Sequence, residues 1–130
     1  MASISDYVLD AALSKLDTEA DKLYITSQEA TTYAQASSTY ALGVATSISI
    51  GAPQDRMVGS PAVADGREVV LAAVTGGNVT ATGDADTFAL VDSANSRLLA
   101  TGSLTGGGQT VTSGNTFILA SITLGIPDPA

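Results

Sequence analysis

From Arg67 to Ile126 the chain is a succession of short apolar runs cut by Gly, Asn and Ser. "REVVLAAV", "VTATG", "DTFALVD", "RLLATGSL" and "FILASITLGI" read as strands, with "TGGN", "SANS", "TGGGQ" and Gly114-Asn115 turning the chain between them. Turn residues at such regular spacing between β-rich runs signal an all-β sandwich or barrel. In the closing run, expected to be the longest strand, Ile118, Ala120, Ile122, Leu124 and Ile126 share one face. Phe117, Leu119, Ser121 and Thr123 share the other, less apolar face. The expected fold is mainly β: an antiparallel β-sandwich or barrel-like domain of about six to eight strands with one N-terminal helix. A chain of 130 residues is expected to form a single domain, 1–130. Within it, residues 1–21 supply the helix and a connection, 22–66 a strand, a loop segment and a strand, and 67–130 the meander.

The helix is expected over residues 4–17. Ser3 and Asp6 make a capping pattern, and an acid in the first turn suits the positive end of the helix dipole. Advancing 100° per residue places Asp6, Asp10, Ser14 and Asp17 on one narrow stripe. Ile4, Tyr7, Val8, Leu9, Ala11, Ala12, Leu13 and Leu16 cover most of the rest. A surface helix needs an apolar stripe of roughly 100° or more, so this wider face predicts packing on more than one side, against a sheet or another subunit. "DTEADK" (17–22) is expected to be a charged, exposed connection.

"KLYIT" (22–26) predicts a short strand. In "SQEATTYAQASSTYALGVATSISIGAPQ" (27–54) no charge follows Glu29 before Asp55. Its second half, "VATSISIG", alternates with period two and predicts a strand beginning near Val44. Residues 27–43 have no sustained period, which fits a loop or a short helical turn. Small residues permit close backbone approach, and Tyr33 and Tyr40 can bury their rings while keeping their hydroxyls wet. Residues 30–43 are therefore expected to lie against another subunit before the chain enters its strand near Val44; a loop packed over the edge of its own sandwich is the alternative. Residues 51–66, with two prolines and three glycines, read as loop with at most a brief extended piece. "GIPDPA" closes the chain as a stop or short arm, because Pro127 and Pro129 lack an amide hydrogen.

The chemistry available is narrow. Thirteen acids stand against five scattered bases, Lys15, Lys22, Arg56, Arg67 and Arg97, for a net charge of −8. That balance argues against nucleic-acid binding, which calls for a basic patch to neutralise phosphates. Cysteine and histidine are absent, removing thiol chemistry, disulfides and the usual zinc ligands. The side chain most used as a base near neutral pH is missing with them. Asp84 and Asp86 lie two apart, but hard cations want six or more oxygens, and a soluble hairpin accounts for the pair. "TGGGQT" lacks the lysine and following helix of a phosphate-binding loop. "NVT" (78–80) falls where a hairpin is expected to turn. No catalytic residue, cofactor or metal is therefore expected. The N-terminus lacks the basic region and apolar run of a signal peptide, and no stretch approaches the ~18 apolar residues of a membrane span. A soluble protein made without secretion machinery is expected.

Four segments carry a resemblance: "ISDYVLDAAL", "ITSQEATTYAQASSTYALG", "DGREVVLAAVTGGNVTATGDADTFALVDSANSRLLATGSL" and "QTVTSGNTFILASITLGIPDP". Spanning most of the chain, they resemble small structural proteins of tailed-bacteriophage virions, of the capsid decoration or cement type. Relatives often carry proline after "SQE", where this chain has Ala30. The resemblance implies a protein on the outer face of an icosahedral head, commonly trimeric, that reinforces joints between major capsid protein subunits. Its implied partners are the major capsid protein and copies of itself, with no nucleic acid and no membrane. The expected contact residues are Ile4, Tyr7, Val8 and Leu16 on the helix and Tyr33, Tyr40 and Leu42 in the following segment. Two other readings are a phage tail or head-fibre component and a receptor- or carbohydrate-binding β-sandwich. The second would need aromatic platforms, and the chain offers only Phe88, Phe117 and four tyrosines.

Overall fold

Short apolar runs between turn residues favour strands, and strands are the commonest element the chain forms. The structure, a computed structural model, describes residues 4–104 and 109–127. Its elements in chain order begin with α1 (Asp6–Glu19), β1 (Lys22–Thr26), one π-helical turn (Gln35–Thr39) and β2 (Ala41–Ala45). Then come β3 (Gln54–Val58), β4 (Val63–Leu71), β5 (Val74–Val79), β6 (Gly83–Ala85) and β7 (Thr87–Asp92). β8 (Arg97–Ser103), β9 (Gln109–Val111), β10 (Thr116–Leu119) and β11 (Ile122–Ile126) complete the series. All the pairings between these strands are antiparallel. The protein is mainly β with one N-terminal helix, in keeping with a sandwich-like class.

The chain divides into two compact units, each assembled from separated segments. The smaller takes its described residues from 4–18, 49–72 and 121–127, and the larger from 19–48 and 73–120. These divisions cut across the sections 1–21, 22–66 and 67–130, because each strand goes where its register partner lies.

In the larger unit a six-stranded sheet runs β10-β5-β2-β1-β7-β8, and β6 pairs with β9 separately. Leu23 faces Leu90 and Ile25 faces Phe88 across β1 and β7. These four side chains share one sheet face and are all buried, Leu23 and Leu90 completely. Burying a leucine or isoleucine side chain stabilises the fold by about 1.5–3 kcal/mol, so this cluster anchors the unit. The opposite face carries Ala89 and Val91, also buried. β7 is buried at every position, which explains why "TFALVD" shows no polar alternation. Buried Asp92 closes the turn 93–96 by accepting from Asn95 Nδ2 at 2.8 Å.

Several expectations are corrected here. "TGGN" is not a turn: Gly76 and Gly77 lie inside β5. Gly77 pairs with Phe117, whose ring occupies the space a side chain would need. A Cβ on Gly77 would meet Phe117 Cζ at 2.2 Å. "VTATG" supplies only the end of β5 and the start of β6. β2 begins at Ala41 and stops at Ala45, so "VATSISIG" is not one strand.

The smaller unit holds a three-stranded sheet, β11-β4-β3. Its β3–β4 hairpin occupies much of the stretch expected to be loop, with Gln54 opposite Glu68 and Val58 opposite Val63. Gly66 has φ +88°, and a Cβ there would fall 1.9 Å from the Ile126 carbonyl oxygen. "FILASITLGI" breaks at Ala120–Ser121: β10 joins the larger unit and β11 the smaller. Phe117 is buried while Ile118 is 74% exposed, reversing the expected faces in the first half. Ile122, Leu124 and Ile126 do alternate together, half-buried, along β11.

Candidate assembly surface

α1 starts at Asp6, and the Ser5 carbonyl accepts from the amides of Val8 (3.0 Å) and Leu9 (3.2 Å). Ser3, the expected cap, lies outside the described residues. The wide apolar face resolves into two faces with different fates. Leu9 and Leu13 are buried, and Leu16 beside them is half-buried. On the other side Tyr7 is 84% exposed and Val8 54%, and Ile4, just before the helix, is 41% exposed. Asp10, on the acidic stripe, receives a fork from Arg67 of β4, Nε to Oδ1 at 2.8 Å and Nη2 to Oδ2 at 3.2 Å. Arg67 Nη1 also donates to Asp55 at 2.6 Å. Asp10 first, then Asp55, raises the guanidinium pKa above its ordinary value by hydrogen bonding to its charged form. The helix is thus fixed through one side while its other side remains open.

The uncharged segment behaves differently. The Ser27 amide donates to the Tyr40 carbonyl at 3.0 Å, closing residues 27–40 into a compact loop with adjacent ends. Inside it the Thr31 amide and hydroxyl both donate to Gln35 Oε1, at 2.8 and 2.9 Å. Ser37 Oγ donates to the Tyr33 carbonyl at 2.9 Å. The Tyr40 amide reaches back five residues to the Gln35 carbonyl at 2.8 Å, which makes the turn π-helical. Ala30 and Ala36 are buried in a cluster with Ala89 and Val91 of β7. Tyr24, Tyr33, Tyr40 and Leu98 pack around that cluster, partly buried. Burial raises the Tyr24 phenol pKa, with smaller contributions from Tyr33 and Asp21. Small residues here serve close packing on the protein's own sheet, and hydroxyls and amides hydrogen-bonded within the loop take the place of charge.

The seven expected contact residues therefore separate. Ile4, Tyr7 and Val8 are exposed, and Leu16 lies on the opposite, buried side of α1. Tyr33 and Tyr40 share the tyrosine cluster of the larger unit. Leu42 is corrected to a core position: it is buried within the larger unit, against Gly83, because β2 starts before it rather than after it. Sequence reasoning missed Met57 and Val63, 53% and 58% exposed at the ends of the β3–β4 hairpin. Their only signal was two apolar residues flanking Gly-Ser-Pro in a stretch that reads as loop.

Among the described residues no group of three or more metal-ligating side chains is gathered. Asp84 instead accepts from the Thr110 hydroxyl across β6 and β9 at 2.8 Å. A shallow depression lined by Thr46, Ser47, Val74 and Thr75 contains no titratable group. No described helix is long and apolar enough to cross a membrane. No family model matches the chain, and neither a curated protein nor a solved structure matches it.

Proposed function

We propose that this protein is a non-enzymatic structural component of a tailed-phage virion. It decorates and reinforces the outer surface of the capsid as a homo-oligomer, a trimer, bridging major capsid protein subunits. The observation that carries this reading is the open face of α1, with Tyr7, Val8 and Ile4 exposed on a helix held from behind. Covering the apolar surface these side chains still expose would be favourable in proportion to its area, about 25 cal/mol per Å², a gain an assembly contact supplies. The resemblance of the quoted segments to capsid cement proteins points the same way. So does an acidic, base-poor composition, which suits the outside of a DNA-filled shell better than its interior.

The test is binding of the purified protein to capsids that lack it, followed by cosedimentation and imaging. The expected outcome is saturable binding at a fixed ratio to the major capsid protein, with density spread over the head. A protein that leaves such capsids bare overturns the reading, and density confined to the tail replaces it with the tail-component reading. The tyrosine cluster of Tyr24, Tyr33 and Tyr40 is the one observation favouring a carbohydrate-binding domain. A glycan array without signal above background removes that alternative.

A further inference from the structure

The open face of α1 has the spacing of a helix seam. Tyr7, Ala11, Ser14 and Thr18 follow one another at intervals of four, three and four residues, the a/d pattern of a heptad. All four are exposed. Thr18 Oγ donates to the Ser14 carbonyl at 2.9 Å, so its hydroxyl is satisfied without a partner beyond the helix. In the same frame Val8 and Lys15 occupy the e positions, and Asp10 and Asp17 the g positions.

We infer that this seam is covered by the α1 helices of further copies of the chain, arranged in parallel around the symmetry axis of the oligomer. The inference rests on the self-assembly proposed above and adds its contact and orientation. Charge selects the orientation. Parallel helices bring each g residue against the e residue five positions on in its neighbour, which sets Asp10 beside Lys15 of the next copy. Asp10 is already forked by Arg67, but a carboxylate has acceptor sites for more than one donor. Antiparallel helices would bring g against g, facing Asp10 and Asp17 with the same acids. Like charges so placed repel. The second copy carries both signs of the required pair. Leu9 and Leu13 on the buried side, with the Arg67 fork, hold the seam in place before assembly, which lowers the ordering cost of binding.

The chain contains no cysteine, so single cysteines report proximity directly. In a symmetric parallel seam each a residue meets its own counterpart. Ala11→Cys and Thr18→Cys should therefore both form disulfide-linked dimers on mild oxidation. Ala12→Cys, exposed one position along the helix, should not. Tyr7→Ser should weaken self-association by about tenfold or more while leaving the unfolding of the dissociated chain, measured at dilution, unchanged. Cross-linking of Ala11→Cys without Thr18→Cys overturns the parallel arrangement. Absence of both cross-links in a protein that light scattering finds oligomeric overturns the seam and leaves the assembly reading standing. A monomer at every concentration removes self-association in solution and the seam with it, while capsid binding is judged separately.

Discussion

Phe117 and Gly77 face each other across β10 and β5, and the phenyl ring lies over the glycine. The same ring sits 3.0 Å from where a Cβ on Gly43 would be. Phe88 and Gly102 repeat the arrangement, with a Gly102 Cβ meeting Phe88 Cε1 at 2.7 Å. An aromatic ring over a strand glycine restores the packing that the missing side chain forfeits. Gly77→Ala should therefore destabilise the fold by about 1–3 kcal/mol, the range for overpacking. Gly76→Ala, next door with nothing within 4 Å of its Cβ, should leave stability unchanged or slightly raised. Urea denaturation of the two variants checks the contrast; equal effects would show that the ring does not hold the space. Such a pairing is invisible in the sequence. Two adjacent glycines before an asparagine carry the chemistry of a turn, and only the partner strand, almost forty residues on, reveals otherwise.

α1 presents two apolar faces with separate consequences. Leu13→Ala should cost about 2–5 kcal/mol of folding stability, as for other buried leucines. Val8→Ser should change stability by less than about 0.5 kcal/mol, as at other exposed sites, while weakening assembly. Thermal melts and light scattering on the two variants separate these roles. The helix and its excess of apolar surface were legible from residue spacing, as were β7, β8 and the turn between them. Arg97–Ser103 in particular matches the expected run closely. Two elements were not. The β3–β4 hairpin pairs polar residues such as Gln54 with Glu68 and lacks the alternation that marks a half-buried strand. The closing run keeps an unbroken apolar rhythm across Ala120–Ser121, where the chain leaves one sheet for another. Rhythm records which residues prefer burial, and it does not record in which sheet.

For the whole molecule, burial is unevenly shared. Among the described residues the larger unit has Leu23, Ile25, Leu90 and Val91 at 1% exposure or less, whereas in the smaller unit only Val69 and Leu71 among the large hydrophobics reach that depth, with Leu9, Leu13 and Ile50 less deeply buried. Among the described residues, five of the six large exposed hydrophobics, Ile4, Tyr7, Val8, Met57 and Val63, belong to the smaller unit. Amides of β1 and β7 should thus exchange with solvent most slowly, and those of the edge strand β3 among the fastest. Hydrogen-exchange mass spectrometry tests this, and uniform protection across both sheets would refute it. The candidate contact surface was partly legible for the same reason: apolar residues on α1 exceed what one face needs. Leu42 and the alanines of residues 27–40 misled because small uncharged residues serve a close internal contact as well as an external one.

The chain passes between the two units after residues 18, 48, 72 and 120. The larger unit's sheet needs β10, ending at Leu119, and the smaller unit's needs β11, ending at Ile126. At about 5–20 residues per second on the ribosome, α1 is made several seconds before either sheet has its last strand. Throughout that interval the open face of the helix is exposed without the fold that orients it. The nascent chain thus shows apolar helix surface for several seconds before either sheet is complete, the kind of surface a holding chaperone binds.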